Sequence, residues 1–155
     1  MLYFAYGSNL DWLQMKNRCP SARFVCVARL AGYRLAFTRF SDRRRCGVAD
    51  VIETEGNEVW GVIYQLDECD FGPLDNYEGH VPGGRNNAYE RIELQVLRHG
   101  DAAQPTAAWI YVVCDKSERE HAPSAEYKRL LTEGARHWRL PQPYIAMLDA
   151  IKDEG

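Results

Sequence analysis

The hydrophobic pattern of the chain predicts an α+β fold built on a strongly curved sheet. Two observations carry this. Strand-like runs dominate the front of the chain and helical periodicity gathers at its end. The order is strand–helix, several strands, a short helix, two strands and two helices, without the strict alternation of a doubly wound sheet. In addition, no internal repeat, low-complexity segment or linker divides the 155 residues, so 1–155 is expected to be one domain.

Leu2-Tyr3-Phe4-Ala5-Tyr6 is an unbroken apolar run and reads as a short strand buried on both faces. Gly7-Ser8-Asn9 turns the chain into a helix over 10–16, with Ser8 or Asn9 as its cap and Asp11 as negative charge in its first turn. Cys19-Pro20 ends that pattern. Residues 23–31 read as a strand with Phe24, Cys26, Ala28 and Leu30 on one side, and Gly32 starts another over 33–38. A polar, basic loop covers 39–45, and its Arg43-Arg44-Arg45 run is read as a solvated surface. Residues 46–52 and 57–66 look like a hairpin joined through Glu53-Thr54-Glu55-Gly56.

Residues 67–77 read as a short helix capped by Asp67 and interrupted at Gly72-Pro73, with Glu78-Gly79 at its end. A loop rich in Gly, Pro and Asn covers 80–87, and because it follows Glu78 it is expected to shape the adjoining pocket. Residues 89–98 alternate as a strand, a turn at His99-Gly100-Asp101 follows, and 107–114 form the last strand. Ser124 caps a helix with Tyr127, Leu130, Leu131, Ala135 and Trp138 on its apolar side. Pro141 opens the final helix, which carries Tyr144, Ile145, Leu148 and Ile151 inward.

Bulk composition bounds the function. Apolar content of 46% and charged content of 26% suit a globular protein, and a net charge of −3 gives no general attraction to nucleic acid or anionic membranes. No apolar run reaches the length of a membrane span, and the start lacks a basic leader. Five cysteines, an odd number with no C-x-x-C pair, fit neither a disulfide framework nor a zinc ribbon. Four scattered histidines offer no metal-ligand spacing. The expectation is a soluble cytoplasmic protein with no metal and no organic cofactor.

The turn at Gly7-Ser8-Asn9 is the first place where chemistry can sit. A strand running straight into a helical turn leaves backbone N–H groups without partners, and these can hold an anion, a carboxylate or a developing oxyanion. The same pattern is also met in ordinary strand–turn–helix junctions. No G-x-S-x-G surrounds Ser8, so its amide is of more use than its hydroxyl.

Tyr6-Gly7-Ser8-Asn9-Leu10 after the first strand resembles the signature of the γ-glutamylcyclotransferase-like family, which includes AIG2-like proteins. Val59-Trp60-Gly61-Val62-Ile63-Tyr64, Leu74-Asp75-Asn76-Tyr77-Glu78-Gly79 and Pro123-Ser124-Ala125-Glu126-Tyr127 match in the family's order, across nearly the whole chain. The resemblance implies a small mixed β-barrel of six to seven strands with helices outside. It implies an enzyme that folds a γ-glutamyl amino acid or amine onto itself. The substrate's α-amine attacks the γ-carbonyl, releasing 5-oxoproline, with Glu78 as general acid/base. Tyr6, Gly7, Ser8, Asn9, Leu10, Tyr111 and Tyr127 are the substrate-binding positions it suggests. A core role stays open for Tyr127, which lies on the apolar side of its helix. The turn amides are candidates for either the γ-carbonyl oxygen or the α-carboxylate. Two other functions remain as alternatives: γ-glutamyl deprotection within a biosynthetic pathway, and a small-molecule-binding module without turnover. The expected partner is a small molecule, and oligomeric state is not legible.

Overall fold

The computed structural model describes residues 1–154, with residues 101–103 described through their backbone. Among the described residues, five strands close into a barrel: β1 (Leu2–Ala5), β2 (Arg23–Ser41), β3 (Cys46–Gln65), β4 (Tyr89–Arg98) and β5 (Asp101–Val113). Going round the barrel the order is β1-β3-β2-β4-β5. β1 pairs parallel to β5 through Tyr3 and Trp109, and every other pairing is antiparallel. Four α-helices accompany it: α1 (Trp12–Arg18), α2 (Phe71–Tyr77), α3 (Ala125–His137) and α4 (Gln142–Asp149).

The strand count is five rather than six to seven because two bends do not break their strands. Gly32 and Gly56 adopt φ of 81° and 83°, backbone that side chains disfavour, at facing places in β2 and β3. The register jumps there from Ala31↔Glu58 to Tyr33↔Glu53, so both strands turn a corner together and stay paired. The hairpin expected between 46–52 and 57–66 is therefore one strand, and the true hairpin turn is the basic loop after Ser41. A second bulge, between Phe24 and Cys26, takes Phe24 out of the barrel's interior pattern. Its ring instead stacks on Trp138, centroid to centroid 4.3 Å. β5 also starts earlier than expected, directly after the turn at His99 and Gly100.

The hydrophobic core takes in Phe4, Leu30, Val59, Val62, Ile63, Tyr64 and Ile110, all buried, and Tyr64 faces the helices, its ring against Trp12 and Trp138. β1 is the strand through which the core reaches the site. Gly61 on β3 lies so close to it that a Cβ there would stand 2.2 Å from the Ala5 carbonyl oxygen. Gly72 and Pro73 do not interrupt α2. They fall in its first turn, where a missing N–H costs no intrahelical bond. Ser124 caps α3 as expected, its hydroxyl accepting from the Tyr127 amide at 3.0 Å.

α3 packs on the 3-10 turn Ser8–Leu10 that follows β1. Gly134 makes that contact possible: a Cβ there would lie 2.6 Å from the Leu10 carbonyl carbon. Alanine raises helix propensity over glycine by about 1 kcal/mol, but overpacking against fixed backbone costs about 1–3 kcal/mol or more. Gly134→Ala is therefore expected to lower stability in urea unfolding, against its helix propensity. A gain in stability would show that α3 and the turn are not in close contact.

Candidate active site

Three pieces of chain meet at one end of the barrel. β1 delivers Tyr6-Gly7-Ser8-Asn9 as it leaves the sheet. In the 3-10 turn, Leu10 and Asp11 donate to the Gly7 and Ser8 carbonyls, each at 3.0 Å. The Ser8 and Asn9 amides, at the start of the turn, have no acceptor within it. The cap of α1 is Asp11 rather than Ser8 or Asn9: its carboxylate accepts from the Gln14 amide at 2.8 Å, because the 3-10 turn delays the helix. Ser8 Oγ accepts from the Gln14 side chain at 2.9 Å instead.

The second piece is the end of α2, where Glu78 follows the last helical residue and Gly79, at φ 66°, turns the chain away. Asp75 ties α2 to the barrel wall. Its carboxylate accepts from the Tyr111 hydroxyl at 2.5 Å and faces Arg91 Nε at 3.2 Å. The third piece is the end of β2 with the turn into β3, which brings Arg39, Ser41, Arg43 and Arg44 over the same place.

Two spaces result. An outer cavity of about 190 Å³ is lined by Glu78, Tyr77, Gly79 and the arginines 18, 39, 43 and 44. An inner recess of about 30 Å³ is lined by Gly7, Ser8, Asn9, Ala49 and a ring of tyrosines at 3, 6, 89, 111 and 127. Ser8, Glu78, Tyr89 and Tyr127 border both. A Cβ on Gly7 would stand 3.3 Å from Ala49 Cβ and 3.6 Å from the Tyr127 hydroxyl, so glycine leaves the recess open.

The Glu78 side chain is 16% exposed. Its Oε1 accepts from Asn9 Nδ2 at 3.3 Å and lies 3.8 Å from Arg18 Nη1. Asn9 is the hub of this contact: its Nδ2 also donates to the Tyr3 hydroxyl at 3.0 Å, and its Oδ1 accepts from Arg18 at 3.1 Å and from Gln14 at 3.0 Å. Burial raises the Glu78 pKa above the ordinary carboxylate value, against the lowering effect of Arg18, Arg44, Arg43 and the Asn9 hydrogen bond. Such a carboxyl group is poised for proton transfer.

The tyrosines divide by what their hydroxyl protons do. Tyr6 donates to the Tyr111 carbonyl at 2.7 Å, Tyr89 to the Ala49 carbonyl at 2.6 Å, and Tyr111 to Asp75. Those three are committed to the scaffold. Tyr127 accepts from the Ala49 amide at 3.0 Å and Tyr3 accepts from Asn9. Among the described residues neither of these two hydroxyl protons has an acceptor. Burial pushes the Tyr127 phenol up to about 12, opposed by the Ala49 amide and Arg44, so it is a donor at neutral pH.

The expected site residues therefore fall into groups. Glu78, Gly7, Ser8, Asn9 and Tyr127 converge on one space, with Tyr6 and Tyr111 as its walls. Leu10 does not line it: fully buried, it faces α3, and its carbonyl accepts from Trp138 Nε1 at 3.0 Å. The loop after Gly79 contributes its ends, Gly79 and Ala88, rather than residues 80–87. Arg39, Arg43 and Arg44, as cavity residues, escaped sequence reading. Their density around what proves to be a hairpin turn was the available signal. Among the described residues no group of three or more His, Cys, Asp or Glu is placed to hold a metal ion.

A closed mixed barrel carries a part-buried glutamate beside a glycine turn. The chain belongs to the AIG2-like family, whose model matches residues 58–148. It is similar to the gamma-glutamylcyclotransferase of Mus musculus, at 35% identity over 97% of this chain and 78% of that protein. The Homo sapiens gamma-glutamylcyclotransferase is 33% identical over the same shares. A solved structure titled gamma-glutamyl cyclotransferase superposes with a TM-score of 0.89 at 33% identity, covering 99% of this chain and 89% of its own.

In a carboxyl-observed NMR titration, Glu78 is expected to titrate above about 4.3, the ordinary glutamate value. Arg44→Gln removes a positive charge that favours the carboxylate, so the midpoint moves further up. A midpoint at or below the ordinary value, or a downward move in the variant, would contradict this electrostatic account.

Proposed function

We propose that this chain is a γ-glutamyl cyclotransferase, releasing 5-oxoproline from a γ-glutamyl compound, with Glu78 as its acid/base. The observation that carries the role of Glu78 is its place on the wall shared by cavity and recess, bonded to Asn9 of the glycine turn, where burial favours a raised pKa. The relatives named gamma-glutamylcyclotransferase support the activity.

The reaction asks little of the protein. The α-amine and the γ-carbonyl already belong to one molecule, and closing a five-membered ring gains the high effective concentration of intramolecular attack. Glu78 takes one proton from the α-ammonium, freeing the lone pair that attacks the γ-carbon. As the tetrahedral centre collapses, the protonated Glu78 donates to the departing nitrogen and the old C–N bond breaks. The regenerated carboxylate then removes the surplus proton from the ring nitrogen and passes it to the released amine. One hydrogen of the α-ammonium stays on the lactam and two leave with the amine, so charge and atoms balance.

The developing oxyanion suits the recess. Its donors are neutral: the Tyr127 hydroxyl, the Tyr3 hydroxyl, and the Ser8 and Asn9 amides; among the described residues Glu78 is the charged group on its wall and no lysine or arginine lines it. Such donors gain most when charge appears in the transition state. The α-carboxylate is charged throughout and suits the guanidinium-lined outer cavity. Tyr6, Gly7 and Tyr111 shape the recess, and Leu10 holds the turn in place from behind.

We further infer that the whole chain acts as one domain in the cytoplasm, where its five free thiols would stay reduced. Among the described residues no helix is long and apolar enough to cross a membrane.

Glu78→Gln keeps shape and removes the base, so 5-oxoproline release from γ-glutamyl-alanine should fall about 10²–10⁴-fold. Release near the wild-type rate would rule Glu78 out. Tyr127→Phe should cost about 10²–10³-fold in kcat, the size of a lost oxyanion donor. Tyr6→Phe, whose hydroxyl proton is spent on the scaffold, is expected to act mainly through stability. Equal losses of kcat in the two folded variants would contradict the division of the tyrosines.

A further inference from the structure

The outer cavity is charged against the sign of the molecule around it. The chain carries a net charge of −3, yet the cavity wall carries four guanidinium groups and one carboxylate, that of Glu78. Arg18 faces Glu78. Arg44 donates to the Gln14 side chain at 2.9 Å and lies over the Tyr127 ring at 5.0 Å. Among the described residues, Arg39, Arg43 and Arg44 form no ion pair with a carboxylate. The arrangement is self-repelling: Arg44 and Arg43 both act to lower the pKa of Arg18, adding to its burial. Like charges gathered around a cavity destabilise the empty protein, and an anionic ligand relieves them.

A γ-glutamyl derivative of a neutral amino acid brings two carboxylates to this wall, its own α-carboxylate and that of the leaving amino acid. Three guanidinium groups await a partner. Resting on the cyclotransferase reading above, we propose that the substrate class is γ-glutamyl peptides whose leaving amino acid is itself acidic, such as γ-glutamyl-glutamate. The α-carboxylate is held by Arg44, which reaches the recess wall at Ser8 and Tyr127 and, unlike Arg18, is not already paired with Glu78. The two acids of the leaving group reach Arg39 and Arg43 at the mouth. The arginines thus act on selectivity, while Glu78 and the recess do the chemistry.

The test compares kcat/KM for 5-oxoproline release from γ-glutamyl-glutamate, γ-glutamyl-alanine and γ-glutamyl-ethylamine, which carry two, one and no acids on the leaving group. Each added acid is expected to raise kcat/KM about fivefold to tenfold at low salt, the worth of one charge-assisted contact in a partly open site. Because the pairs are partly exposed, the preference should shrink as ionic strength rises. In the double variant Arg39→Gln/Arg43→Gln the ratio of γ-glutamyl-glutamate to γ-glutamyl-alanine should collapse toward unity. The salt series on the wild-type protein gives the same information without a variant. Turnover of γ-glutamyl-alanine equal to or above that of γ-glutamyl-glutamate would overturn the proposal and leave the cyclotransferase reading intact. Release from none of the three would overturn both.

Discussion

One part-buried contact holds the candidate site together: the Glu78 carboxylate against the side chains of Asn9 and Arg18, groups separated by 69 and 60 residues of chain. Neither partner belongs to the element that carries Glu78. Asn9 sits on the turn after β1 and Arg18 ends α1, while Glu78 ends α2. Taking a carboxylate and a guanidinium out of water costs several kcal/mol per ion, so such a pair persists where neighbouring elements impose it. Here the imposition is visible on each side: β1 is locked between β3 and β5, and α2 is fastened to the wall through Asp75.

The balance within this contact gives Glu78 its character. A close bidentate pairing with Arg18 would pull the carboxyl group well into its ionised form and leave it a poor base. The separation of 3.8 Å and the single amide hydrogen bond fall short of that, so burial wins and the pKa rises. The carboxylate is then both anchored and basic. Asn9 does double service, because the same residue also borders the recess. The proposed acid/base group and the proposed oxyanion donors are thereby coupled through one residue.

Much of this was legible in the chain. The apolar run at Leu2–Ala5, the glycine turn and the Leu-Asp-x-x-Glu-Gly end of α2 are local signals, and local signals survive the passage to three dimensions. Ser124 as a cap was readable for the same reason. What failed depended on partners distant in sequence. Gly32 and Gly56 look like strand breaks one at a time, and they become a shared bend only when β2 and β3 face each other. Asp11 displaced Ser8 and Asn9 as the cap because the turn is stabilised by α3, packed through Gly134 over a hundred residues later. The tyrosines could be assigned to the site but not sorted, since sorting needs each hydroxyl's partner. The arginines after Ser41 read as solvated because their density, though visible locally, does not show that the turn folds over Glu78.

The central claim is that residue 78 and the turn amides act on a single ligand, and a crystal structure with 5-oxoproline bound tests it most directly. The account predicts the ring nitrogen within hydrogen-bonding distance of the Glu78 carboxylate. The ring carbonyl oxygen should lie in the recess between the Tyr127 hydroxyl and the Ser8 and Asn9 amides, with the carboxylate toward Arg44. Product seated elsewhere, for example in the groove between Trp60 and Met147, or bound with its ring nitrogen turned from Glu78, would contradict it.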